Sequence, residues 1–99
     1  MDQNIITKDE AWKELIEALC RNDDPVLMAS FLESLLTEYE IDEVTKRWAL
    51  VRLLDEGVSQ RNIAKGLGLS LCKITRGSKE LKKDDSPFAR MISDFKSSG

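Results

Sequence analysis

The sequence predicts an all-α chain of six helices, and three observations carry that expectation. Apolar residues recur three and four positions apart through most of the chain, which is the spacing of one helix face. Helix-start signatures, a small polar residue ahead of a helix former or a proline, precede those runs. Only two prolines and 6% aromatic residues are present, and no segment makes a convincing strand. With 99 residues the chain is expected to form one domain with a modest core, marginal enough for self-association to matter.

The elements follow in order. Thr7-Lys-Asp-Glu10 is a capping box, in which side chain and backbone satisfy each other's donors. Behind it Trp12, Leu15, Ile16 and Leu19 form an apolar stripe that ends at "RNDDP". Asp24 caps the second helix with Pro25 at its first position, where the missing N–H costs nothing. Leu27, Met28, Phe31, Leu32, Leu35 and Leu36 give that helix a broad apolar face. Thr37-Glu-Tyr-Glu40 is a second capping box, and a third helix runs through Val44, Trp48, Leu50, Val51, Leu53 and Leu54 to Gly57. Ser59 caps a short helix from Gln60 to about Gly66, "GLG" breaks it, and Ser70 caps a helix from Leu71 to about Lys82. Ser86-Pro87 starts the last helix, through Phe88, Met91, Ile92 and Phe95; the terminal "KSSG" is expected to fray. The first three helices carry more apolar surface than one thin layer can hide, which favours a homodimer with shared helices.

Several function classes are excluded. No apolar run is long enough to cross a bilayer, and "MDQNIITKDE" lacks the basic and apolar regions of a signal peptide. There is no histidine, and Cys20 and Cys72 stand far apart, so neither a His/Cys metal site nor a disulfide framework is expected. Two reduced thiols suit a cytoplasmic protein. No cluster of nucleophile, base and oxyanion donors is visible, so the chain is not expected to be an enzyme, and Cys72 has no base to activate it.

Charge is unevenly placed. The chain is net −3, yet residues 59–83 hold seven basic residues against Glu80 alone, a local +6 on a body of −9. Such a block is what a phosphate-facing surface looks like; the plainer alternative is a solvated lysine-rich face. Within it, small Ala64, turn-forming Gly68 and the apolar Ile63, Leu67, Leu69 and Ile74 fit a helix-turn-helix. Gly77 departs from that pattern, because a larger apolar anchor is usual there. In this motif the second helix enters the major groove by its first turn. Ser70, Leu71, Cys72 and Lys73, with Thr75 just beyond, are therefore expected to read bases. Gln60, Arg61 and Lys65 are expected to meet phosphates.

"SQRNIAKGLG" followed by "ITRGSKELK" resembles the reading-head signature of the tryptophan repressor family. The likeness covers most of the chain: Trp12, Leu35-Leu36-Thr37 and Arg47 fall in the same order at nearly the same spacing, with one residue fewer between Arg47 and Ser59. The resemblance implies an interlocked homodimer of six-helix chains. Residues 8–57 would form the dimerisation core, 59–83 the reading head and 86–96 a C-terminal helix. L-tryptophan, the co-repressor, would wedge between core and head and set two recognition helices into successive grooves of a palindromic double-stranded operator. Carried over by position, Arg76 grips the ligand carboxylate, Arg47 lies against the indole, and Gly77 leaves room beside it. Leu36 and Thr37 line the slot. Lys46, next to Arg47, is the alternative, and spacing from Leu35-Leu36-Thr37 selects Arg47.

Two positions depart from the family. Ser34 stands where a leucine is usual, and Glu80 where a serine is common near the ligand amino group. Glu80 could pair with a ligand ammonium, or with Lys83 or Arg76 on its own helix. The family aside, Arg76 could bind a phosphate while Gly77 packs against another helix. Two other functions remain open on residues alone: a helix-turn-helix regulator with a different ligand or none, and a helical protein-interaction adaptor.

Overall fold

The computed structural model describes residues 5–97. It contains α1 (Lys8–Arg21), α2 (Pro25–Leu35), α3 (Glu38–Asp55), α4 (Gln60–Leu67), α5 (Leu71–Lys82) and α6 (Pro87–Ser97), with no strand among the described residues. The all-α, six-helix expectation therefore holds. Residues 1–4 of the amino-terminal stretch lie outside the described residues, as do the last two of "KSSG". Lys96 and Ser97 continue α6 rather than fraying, and the Ser97 hydroxyl donates to the Asp94 carbonyl at 3.1 Å.

The chain divides into two compact units, one ending at Glu38 and the other beginning at Tyr39. In the first, the Thr7 hydroxyl accepts the Glu10 N–H at 3.0 Å and the Thr7 N–H donates to the Glu10 carboxylate at 2.9 Å. That reciprocal pair holds the Glu10 carboxyl below its ordinary value, chiefly through the backbone hydrogen bond to Thr7. Asp24 accepts from the Val26 and Leu27 N–H groups at 3.0 and 3.3 Å, with Pro25 opening α2. Neither α1 nor α2 has a buried residue, and Trp12 is 61% exposed. An apolar groove of about 130 Å³ between them is lined by Leu19, Leu27, Met28 and Phe31 among others.

The second unit holds the buried core. Leu50, Ile63 and Ile74 form one cluster, with Leu53, Leu54, Val58, Ala64, Leu67 and Leu69 packed around it. Burying a side chain such as Ile63 or Ile74 contributes roughly 1.5–3 kcal/mol. Ala64 stands where α4 meets that cluster, so the small residue suits its place. The turn into α5 is made at Gly68, in the left-handed region at φ 64°, so α4 extends one residue past Gly66. The N–H groups of Gly68 and Leu69 both turn back to the Ala64 carbonyl, satisfying an otherwise orphaned acceptor.

Ser86, itself buried, caps α6 by accepting the Ala89 N–H at 3.1 Å. The helix is fastened to α3 by an edge-on Trp48–Phe95 contact at 6.2 Å, by Arg52 over the Phe95 ring at 5.4 Å and by a Lys96–Asp55 bridge at 2.9 Å. Through its buried Leu50 and Val51, α3 is thus part of the same packed unit as the reading-head helices.

Candidate functional site

Two helix faces line a cavity in the second unit. α3 presents Glu43, Lys46, Arg47, Leu50 and Val51, and α5 presents Lys73, Arg76, Gly77 and Glu80. Both sets recur three and four residues apart, so each is a single stripe along its helix. Leu69 from the turn and Phe88 from α6 complete the lining. The volume is about 450 Å³, inside the range of roughly 300–1,000 Å³ common for small-molecule sites.

Four cations and two carboxylates face this space, so it favours an anion. The charges are not equally free. Lys46 is bound to Asp42 at 2.9 Å, and that hydrogen bond holds its ammonium above the usual lysine range. Lys73 reaches both oxygens of Glu43, at 3.3 and 3.0 Å. Glu80 is taken by Lys83, three residues on, at 3.0 Å rather than by Arg76. Arg47 and Arg76 make no salt bridge among the described residues. Two planar guanidinium groups outside any salt bridge thus line one cavity with an apolar floor, where a carboxylate can be gripped by two parallel hydrogen bonds.

Gly77 lines the cavity, but its missing Cβ has a structural cause beside any ligand. An ideal Cβ there would lie 2.8 Å from Leu50 Cδ2 and 3.2 Å from Leu50 Cγ. The family resemblance keeps this space for a ligand; at the Cβ position itself it is filled by Leu50. This close approach of α5 to α3 accounts for a glycine where the motif usually has an apolar anchor.

The predicted DNA-facing residues Gln60, Arg61, Lys65, Ser70, Leu71, Cys72, Lys73 and Thr75 are all exposed. Leu71, at 65%, is far more open than a packing role requires. Ser70 also caps α5, accepting the Lys73 N–H at 3.4 Å. A second, open groove along the outer side of α5 is lined by Leu71, Cys72, Thr75, Arg76 and Glu80 among others. Arg76 and Glu80 therefore stand on the edge shared by the inner cavity and the outer face.

Leu36 and Thr37 belong to the first unit, and the cavity is formed within the second. Sequence reasoning misses Glu43, Leu50, Val51 and Phe88 as lining residues. Glu43 has a signal, since it lies one helical turn before Arg47 on the same face. Phe88 has none, because it comes from a helix that reaches the site only through tertiary packing. No group of three or more candidate metal ligands occurs among the described residues, and no helix is long and apolar enough to cross a membrane.

Residues 10–96 match the family described as Trp repressor protein. A Trp operon repressor homolog of Xylella fastidiosa (strain M23) is 35% identical over 81 residues, covering 81% of this chain and 88% of that protein. One from Chlamydia caviae is 31% identical over 87 residues, covering 87% and 86%. One from Actinobacillus succinogenes is 39% identical over 82 residues, covering 82% and 81%. No solved structure matches the chain. With a helix-turn-helix beside a cation-lined cavity and a family match over nearly its whole length, the chain belongs to the Trp repressor family of transcription regulators, which are not enzymes.

Proposed function

We propose that this protein is a tryptophan-dependent repressor, a homodimer that binds palindromic double-stranded operator DNA when L-tryptophan occupies the cavity between α3 and α5. The observation that carries the reading is the pair of guanidinium groups outside any salt bridge, Arg47 and Arg76, lining one cavity behind the exposed first turn of α5. Arg76 takes the ligand carboxylate in a bidentate grip. Arg47 lies on the indole face, a cation–π contact of about 0.5–2 kcal/mol. Leu50, Val51 and the backbone at Gly77 supply the apolar floor, and Glu80 stands at the rim. Leu36 and Thr37 line the slot in the assembled dimer.

The bound ligand bridges α3 and α5 and so sets the angle of the first turn of α5. Ser70, Leu71, Cys72, Lys73 and Thr75 then meet base edges, while Gln60, Arg61 and Lys65 meet phosphates. Two such heads fit half-sites one helical turn apart, about 34–36 Å. The setting is the cytoplasm, where Cys20 and Cys72 stay reduced.

Calorimetry with L-tryptophan tests the ligand. The unaltered protein gives a saturable heat, and Arg76→Ala loses on the order of a hundredfold in affinity, the value of a bidentate charged contact. Duplexes selected from a random library in the presence of L-tryptophan are expected to be palindromic and to release the protein when the ligand is removed. A saturable heat from another amino acid and none from tryptophan would favour a different co-repressor, the reading that Ser34 and Glu80 recommend.

A further inference from the structure

The proposed function leaves Glu43 without a part, although it lines the cavity. We infer that Glu43 is the acceptor for the ligand's α-ammonium group and takes it in exchange for Lys73, so that ligand binding releases a basic side chain of the reading helix toward DNA. This rests on the amino-acid reading of the cavity and adds to it both a specificity determinant and a route of coupling.

Charge complementarity is the first argument. A free amino acid is a zwitterion, and Arg76 answers only its carboxylate. Glu43 and Glu80 are the carboxylates in the lining. Glu80 stands on the edge shared with the outer groove, its side chain 33% exposed and held by Lys83, the residue that caps the end of α5. Glu43 is 17% exposed and lies one turn from Arg47 on the same face of α3, beside the guanidinium expected to carry the ring. The hydrogen bond from Lys73 keeps its carboxyl below the usual glutamate range, so it is an anion at neutral pH.

The second argument is the identity of its present partner. Lys73 comes from another helix, 30 residues along the chain, and sits in the first turn of α5 where a duplex would approach. Its ammonium occupies both oxygens of Glu43. A ligand ammonium brought to the same carboxylate places two like charges within about 4–5 Å, a repulsion that the more mobile partner relieves by leaving. Lys73 is that partner: its side chain is about half exposed on a four-carbon stem, whereas the ligand is anchored by its carboxylate. Once free, Lys73 adds one positive charge to each reading head. Ligand and DNA are then coupled by exchange of partners at one carboxylate, and the coupling is reciprocal.

The experiment compares L-tryptophan with indole-3-propionate, which has the same ring and carboxylate but no ammonium. Calorimetry gives the ratio of the two affinities for the unaltered protein and for Glu43→Gln, Glu80→Gln and Lys73→Gln. Glu43→Gln is expected to lower the tryptophan-to-propionate ratio by about tenfold or more, the value of a hydrogen bond to a charged group. Lys73→Gln raises the ratio, because Glu43 has lost its competitor, and Glu80→Gln lowers it less than Glu43→Gln does. With tryptophan bound, Lys73→Gln also makes the slope of log affinity for DNA against log salt shallower by about 0.9 per head, the value of one cation held against the duplex.

An unchanged ratio in Glu43→Gln, a fall in Lys73→Gln or a fall confined to Glu80→Gln overturns the inference while leaving tryptophan binding intact. No heat from either compound with the unaltered protein overturns the amino-acid reading and this inference together. Should Glu43→Gln fail to fold by circular dichroism, the Lys73→Gln ratio and salt slope decide the matter.

Discussion

At Gly77 the absence of one carbon atom is set by two constraints that the sequence presents as one. Its neighbours on both sides continue a helix, in which glycine costs about 1 kcal/mol relative to alanine. Leu50, almost fully buried, occupies the space a Cβ would need, with its branch carbon Cγ as well as a terminal methyl in the way. Gly77→Ala is therefore expected to lose about 1 kcal/mol in urea unfolding, since overpacking of roughly 1–3 kcal/mol outweighs the helix gain. In a Leu50→Ala background the sign should reverse, because the offending Cγ and Cδ atoms are gone; two additive effects would contradict this packing account. Arg47, Arg76, Gly77 and Glu80 were legible because three of them lie in one short motif and the fourth is registered by Leu35-Leu36-Thr37. The engagement of Lys73 by Glu43 was not legible, because residues 30 apart share no local pattern. It depends on where α3 crosses α5.

At the level of elements, two glycines in and after α4 make opposite demands. Gly66 lies inside the helix with open space where a Cβ would stand, whereas Gly68 terminates it at φ 64°. Gly66→Ala is expected to raise stability by about 0.5–1 kcal/mol, and Gly68→Ala to lower it by about 1–2 kcal/mol through left-handed strain. Thermal unfolding of the two variants side by side reads this directly, and equal shifts of the same sign would contradict the turn geometry. The six helices were readable because most of their starts carry side-chain caps, and a cap is a local chemical event between residues two or three apart. The packing of α3 against the reading-head helices was not readable. Its apolar residues Trp48, Leu50, Val51, Leu53 and Leu54 lie on more than one side, so periodicity alone does not choose the face that joins the core.

For the whole molecule, the distribution of burial is the main constraint on assembly. Within one chain the core residues all belong to the second unit, while Trp12, Ile16, Leu27, Phe31 and Leu35 of the first unit remain exposed. The proposed homodimer offers cover for those side chains. Sedimentation is expected to give twice the chain mass, and the melting temperature to fall on dilution, as it does when folding and association are linked. A concentration-independent melt at monomer mass would contradict it. A consequence follows from α1 and α2 burying no residue of their own. In the proposed homodimer a mate covers α1 and α2, so an unpaired new chain is expected to offer them to cellular proteases and a paired chain to shield them. The lifetime of the protein should then lengthen with its own abundance, giving the cell a threshold of synthesis below which little regulator accumulates.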